Sequence, residues 1–251
     1  MDRMLLMLVA GMVGGAMNAL AGGGSFVTLP AMIAVGIPSV PANASSTVAL
    51  LPGGFAGAWA YREGLRPVRG VPLRPMLAVT VAGGLAGAVL LLRTPASAFD
   101  LALPWLLLVA ALTLTFGSRI RILLQHRVTF GRPVVLAVQF VLGVYGGYFG
   151  GAVGIMMMAA WTLFGECDIK AMNGPRMLLV SSANGVAVLT FIVAHAVYWP
   201  ETLVMLIGAT LGGYGGARLS RLAPAPVVRI VTLVLVAGIT IRFFVRTYAG
   251  V

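Results

Sequence analysis

The chain has 251 residues, of which 60% are hydrophobic and 9% charged, with a mean hydropathy of +1.02. A soluble domain carries about a quarter charged residues, so this chain cannot cover a water-facing surface, which excludes an ordinary soluble enzyme and a disordered chain. The net charge of +11 comes from basic residues in short gaps between apolar runs, a pattern of positive-inside topology in a lipid bilayer and not of a nucleic-acid footprint.

At about 20 residues per transmembrane helix, the length allows roughly eight spans. The first apolar run begins at Met4 behind Asp2 and Arg3, and Ala19-Leu20-Ala21 has the small residues of a signal-peptide cleavage site. The recurrence of this segment later in the chain argues against cleavage. Residues 4–35 would make a straight helix of ~48 Å, longer than a ~30 Å hydrocarbon core. Gly22-Gly23-Gly24 at its middle therefore predicts a helical hairpin or two half-helices, with 26–35 as the second arm. Helices are predicted next over 43–61, kinked at Pro52-Gly53-Gly54, then over 75–92 and 101–116. The longest polar stretch, 119–132, follows. The second half repeats the pattern: an apolar segment broken at Gly150-Gly151, a short segment over 155–164, and helices over 172–197, 202–219 and 227–245.

Glycine patterns tie the halves together. GMVGGAMNALAG at 11–22 resembles GVYGGYFGGAVG at 143–154, which aligns Gly11, Gly14, Gly15 and Gly22 with Gly143, Gly146, Gly147 and Gly154. GGLAGA at 83–88 resembles GGYGGA at 212–217 at a slightly shorter offset, and Gly36 and Ala42 match Gly165 and Ala171 at that same offset. The expected organisation is a first repeat over 1–119, a cytoplasmic linker over 120–130 and a second repeat over 131–251. Arg62, Arg66, Arg69 and Arg74 fill one loop, and Arg119, Arg121, Arg127 and Arg132 fill the hinge. In the second half the matched loop, Tyr198-Trp199-Pro200-Glu201, has no basic residue, and Arg218, Arg221 and Arg229 mark the next one. A bias that changes sides between matched loops is what two copies of opposite topology produce; Arg3 argues the other way. The expected fold is an all-α polytopic membrane protein of two inverted repeats, each a glycine-broken helical hairpin plus three transmembrane helices.

Polar residues inside the apolar runs are the candidates for function: Asn18, Ser25, Asn43, Ser45, Ser46 and Thr47 in the first half, Asn173, Arg176, Ser181, Ser182 and Asn184 in the second. A helix that starts inside lipid leaves N–H groups unpaired, each costing several kcal/mol. An anion can accept their hydrogen bonds, and the helix dipole favours it. Gly24-Ser25-Phe26 opens one such half-helix, Asn43 or Ser45 is the expected N-cap of the next helix, and Asn173 and Arg176 are expected at the start of its partner. A cation there is opposed by the dipole and reads as a counter-charge for an anionic substrate. The acids, Asp2, Glu63, Asp100, Glu166, Asp168 and Glu201, all fall near loops or segment ends, and His195 lies near a helix end, so a carboxylate proton relay is not expected. A monoanion leaving an inside-negative cell gains ~2.3 kcal/mol per 100 mV, roughly fifty-fold, so export needs no coupling group. The single cysteine, Cys167, excludes an intrachain disulfide or a multi-cysteine metal site, His126 and His195 are too few and too separated for a catalytic zinc, and nucleophile-elbow, Walker and HExxH motifs are missing. No catalysis, metal or cofactor is expected.

The segments GGGSFVTLPAMIAVGIP and PANASSTVALLPGGFAGAWAYR in the first half, and GVYGGYFGG, DIKAMNGPRMLLVSSANGVAVLTFI, YWP and GATLGGYGGARLSRL in the second, resemble the sulfite exporter TauE/SafE family over nearly the whole chain. The shared features are a glycine-rich break, a short apolar helix ending in glycine, and an AN-x-[ST] helix ending in Tyr-Arg. Arg176 stands where many relatives have lysine, which keeps the charge but presents a bidentate fork. The resemblance implies a transporter of sulfite, sulfoacetate or another organosulfonate in the bacterial inner membrane, and leaves room for a homodimer. The expected substrate site joins Gly22, Gly23, Gly24, Ser25, Asn43, Ser45, Ser46 and Thr47 to Asn173, Arg176, Ser181 and Asn184. An anion channel with the same lining, or uptake coupled to a cation, is the alternative.

Overall fold

The structure, a computed structural model, describes residues 2–68, 70–124, 131–165, 168–219 and 225–248. Its helices in chain order are α1 (Arg3–Ala21), α2 (Ser25–Ala34), α3 (Ser39–Ala60), α4 (Leu73–Arg93), α5 (Ala96–Leu124), α6 (Arg132–Phe149), α7 (Val153–Leu163), α8 (Ile169–Val193), α9 (Trp199–Leu219) and α10 (Ala225–Tyr248). A 3₁₀ turn over Arg62–Gly64 and an isolated bridge between Val68 and Val71 lie between α3 and α4. Four helical stretches, Leu73–Arg93, Ala96–Thr113, Arg132–Phe149 and Ala171–Val193, are long and apolar enough to cross a membrane. Large apolar side chains such as Val141, Leu189, Val193 and Val234 face outward, as lipid-facing surfaces do and water-facing ones do not.

Both expected breaks form. α1 stops at Gly22, whose φ of 72° is the left-handed cap conformation, and its N–H returns to the Asn18 carbonyl at 3.0 Å. In the second half the equivalent cap is Gly150, with φ 75°, one helical turn before the Gly154 that the sequence alignment paired with Gly22. Gly36 and Gly165, matched by sequence, both adopt left-handed φ, 89° and 94°. Helix starts differ from expectation. α3 begins at Ser39 behind Pro38, so Asn43 and Ser45 lie inside the helix and neither is its N-cap. α8 begins at Ile169, where the Asp168 carboxylate accepts from the Ala171 N–H at 3.0 Å, so Arg176 sits two turns in and not at the helix start. The dipole falls off within the first turn, so it does not account for that arginine. Pro52 is accommodated within α3, and α5 continues to Leu124, past the expected end of the first repeat. Residues 125–130 of the expected linker, and the side chains of Arg69, Arg119, Arg121, His126, Arg127, Glu166, Cys167, Arg218, Arg221 and Arg229, lie outside the described residues.

Packing exchanges helices between the halves. α1 lies parallel on α9: Gly11 and Gly15 face the Met205 and Ala209 carbonyls, and Gly208 and Gly212 face those of Leu8 and Met12. In the same way α6 lies parallel on α4, with Gly143 and Gly147 facing Thr80 and Gly84, and Gly83 and Gly87 facing Phe140 and Val144. At each of these positions a Cβ would run into backbone, so glycine at i and i+4 sets the helix separation. α3 and α8 meet antiparallel, with Gly54 beside Ser181, Gly57 beside Met177, and Gly174 beside the carbonyls of Tyr61 and Gly64. One group of helices is thus α1, α2, α3 and α9, and the other is α6, α7, α8 and α4. α10 leans on the first, α5 on the second, and the groups meet along α3–α8 and α5–α10.

A candidate anion site between two broken hairpins

Where the groups meet lies a cavity of about 50 Å³. α3 lines it with Thr47, Leu50, Leu51 and Gly54, and α8 with Met177, Val180, Ser181 and Asn184. Both sets follow i, i+3, i+4, i+7, one face of each helix. The first break adds Asn18, Gly22 and Ser25, and the second adds Gly150, Val153 and Gly154. Arg176 completes the wall and, among the described residues, is the only ionisable one that lines it.

The chemistry is in what stays unpaired. Arg176 Nε, Ser181 Oγ and Asn184 Oδ1 are buried without a hydrogen-bond partner. The Arg176 guanidinium has one weak contact, Nη2 to Met177 Sδ at 3.8 Å, and among the described residues no carboxylate pairs with it. An uncompensated charge in a buried site costs several kcal/mol, and nearly all buried polar groups are hydrogen-bonded. Three such atoms thus belong to residues that line the cavity, as they would in a ligand site, while Ser39 Oγ and Asn43 Oδ1 are buried without a partner away from it. The half-helix amides contribute less than expected: Phe26 and Val27 N–H donate to the Gly23 and Gly24 carbonyls at 3.2 and 3.1 Å, and Ile155 N–H donates to that of Ala152 at 3.0 Å.

Of the residues of the expected substrate site, Gly22, Ser25, Thr47, Arg176, Ser181 and Asn184 come together at the cavity. The others do not line it. Asn43, 1% exposed, donates from Nδ2 to the Tyr148 carbonyl at 2.9 Å, in the last turn of α6, where carbonyls lack intrahelical donors. Ser45 Oγ accepts from the Tyr198 N–H at 3.0 Å, just ahead of α9. Ser46 Oγ and Thr28 Oγ1 share a hydrogen bond of 2.6 Å between α3 and α2. These three fix α3 to its neighbours. Gly23 and Gly24 are buried at the break, where Gly24 abuts the Gly14 carbonyl and Asn18. Asn173 is half-buried away from the cavity. Asn18, Gly54, Gly150 and Gly154 were not placed in the site by sequence. For Asn18 the signal was present, a polar residue one turn before a glycine break. His195 is exposed beyond α8.

Outside the cavity, Glu201 at the start of α9 is buried and pairs with Arg3 at 2.8 Å. On the same end of the molecule, Tyr148 OH meets Thr94 Oγ1 at 3.4 Å and its ring packs on Phe99. Trp105 Nε1 donates to Tyr248 OH at 2.9 Å, and that hydroxyl lies 3.2 Å from the Leu101 carbonyl.

A family model described as sulfite exporter TauE/SafE matches residues 7–243. The probable membrane transporter protein YfcA of Escherichia coli (strain K12) is 30% identical over 209 residues, 83% of this chain and 77% of that protein. The probable membrane transporter protein ORF9 of Sinorhizobium sp is 30% identical over 244 residues, 94% of this chain and 90% of that protein. A probable membrane transporter protein of Haemophilus influenzae is 28% identical over 226 residues, 87% and 85% of the two chains. No solved structure matches the chain.

Proposed function

The chain belongs to the sulfite exporter TauE/SafE family of membrane transporters, and on that premise we propose that it exports small sulfur-containing anions, such as sulfite, sulfoacetate or other organosulfonates, by alternating access between two inverted repeats. The observation that carries this reading is the unpaired Arg176 guanidinium beside orphaned Ser181 and Asn184, in a cavity between two groups of helices. An anion there neutralises the charge and accepts from the donors, and no other group among the cavity-lining residues can do the first.

Inversion is supported by the antiparallel course of α3 and α8, which hold equivalent places in the two halves, and by the reciprocal pairing of α1 with α9 and α6 with α4. Arg3 stops counting against this orientation because Glu201 neutralises it. Arg62, Arg66 and Arg74 after α3, and Arg132 at the start of α6, belong to one end of the bundle, which is the cytoplasmic end by the positive-inside rule. The bonds that join the two groups, Asn43 to Tyr148 and Trp105 to Tyr248, lie at the opposite end. Two groups of helices joined at that end by a few separable bonds support a carrier over a channel, with rocking of one group against the other as the motion that gives access.

Purified protein in liposomes under an inside-negative potential tests the reading. Saturable sulfite or sulfonate efflux, lost in Arg176→Gln, is expected. Unsaturable flux with single-channel current steps would make it a channel, and full flux in Arg176→Gln would remove the site from the mechanism.

A further inference from the structure

Two buried polar atoms away from the cavity, Ser39 Oγ and Asn43 Oδ1, have no partner among the described residues. Ser39 is 5% exposed and Asn43 1%, and buried polar groups of native proteins are nearly all hydrogen-bonded. Capping does not explain them: α3 starts at Ser39 behind Pro38 without a side-chain cap, and Asn43 lies one turn further in. What they share is a face. Ser39, Asn43 and Thr47 are four residues apart along α3, so they stack one above another, and Thr47 lines the cavity. Each step rises ~6 Å, so the stripe covers the ~12 Å between the helix start and the cavity. It begins at the end of α3 away from Arg62, which the positive-inside rule makes the outer end. The residues between read otherwise. Ser45 and Ser46 are each bonded to an adjoining element, and Ala44 is fully buried hydrocarbon.

Asn43 also holds that end closed. It belongs to one group of helices, and its Nδ2 donates to the Tyr148 carbonyl of α6 in the other. Tyr148 is tied in turn to the α4–α5 corner, by its hydroxyl to Thr94 Oγ1 and by its ring to Phe99. If the groups part there, Asn43 Nδ2 joins the Ser39 hydroxyl as a donor without a protein acceptor. A stripe of donors is what an anion, or the water around it, needs to cross a layer that otherwise offers hydrocarbon.

We propose that the outer half of the translocation route runs along the Ser39–Asn43–Thr47 face of α3, and that the hydrogen bond from Asn43 to Tyr148 is its gate. This rests on the carrier reading and adds a path to the site.

Thiol labelling tests it. Single cysteines are placed in the Cys167→Ser background, and 2-sulfonatoethyl methanethiosulfonate, an anionic reagent that does not cross membranes, is added outside intact bacteria. Ser39→Cys should react, and its modification should lower flux. Ala44→Cys, as deeply buried and next to Asn43, should stay unmodified. Adding Asn43→Ala to Ser39→Cys should speed its labelling about fivefold, the population shift expected from one lost hydrogen bond, and leave Ala44→Cys unreactive. Labelling of Ser39→Cys no faster than that of Ala44→Cys, in variants that still show saturable efflux from liposomes, overturns the inference and leaves the carrier reading standing. Equal acceleration at both positions by Asn43→Ala overturns the gate, because the amide then only holds the fold together. Absence of saturable flux from the unaltered protein overturns the carrier reading and the route with it.

Discussion

Arg176 is partly buried beside the cavity, its Nε has no hydrogen-bond partner, and among the described residues no carboxylate pairs with it, so on the proposed reading its charge is available to an anion. Arg176→Gln should remove anion binding while raising thermal stability in the absence of anion, because an unpaired buried charge is lost; a scanning unfolding assay with and without anion checks both. Asn43 works differently. Its amide satisfies the Tyr148 carbonyl at the end of α6, so Asn43→Ala should cost about 1–3 kcal/mol of stability, read as a lowered midpoint of unfolding, with anion affinity in the refolded fraction little changed. A binding role for Asn43 would show the opposite split. Both residues stood out in the sequence as polar groups in apolar runs, yet their roles did not separate there. The partner of Asn43 lies 105 residues away, and that of Ser45 lies 153 residues away, so only the fold decides which polar side chain ties helices together and which lines the cavity.

At the level of helices, the breaks were legible because a long apolar run interrupted by glycine cannot remain one straight helix across a bilayer. Their register was less so. The second break occurs at Gly150, one turn ahead of the position the glycine alignment gave, because a left-handed cap needs glycine only at the cap itself and several glycines compete for it. Helix starts were missed for a related reason: Pro38 and Asp168 begin α3 and α8, while the polar residues downstream look like caps and are not. The glycine pairs make a sharp contrast for experiment. Gly212→Ala drives a methyl into the Met12 carbonyl and should destabilise the α1–α9 pair by about 1–3 kcal/mol. Gly213→Ala, one residue on, has its nearest neighbour at 3.7 Å and should be close to neutral or slightly stabilising. Equal effects on the unfolding midpoint would contradict the interlocked packing.

For the molecule as a whole, composition and hydropathy identified a helical membrane protein, and the glycine repeats are the ground for proposing two halves. What no sequence pattern displayed was the exchange of helices: α9 completes the first group and α4 the second, which places the cavity at the interface between the groups. Linking the groups where Trp105 meets Tyr248 should hold that end shut. With Cys167→Ser as background, Trp105→Cys and Tyr248→Cys bridged by a short bismaleimide should abolish flux through liposomes and leave anion binding intact; flux that survives the bridge would mean that these helices do not move apart. The most direct test concerns the cavity. Crystals grown with selenite, the selenium analogue of sulfite, allow the ion to be located by anomalous scattering. The account requires one selenium peak within hydrogen-bonding reach of Arg176, Ser181 and Asn184, absent from Arg176→Gln crystals. A selenium peak elsewhere, with this cavity holding only water, would contradict it.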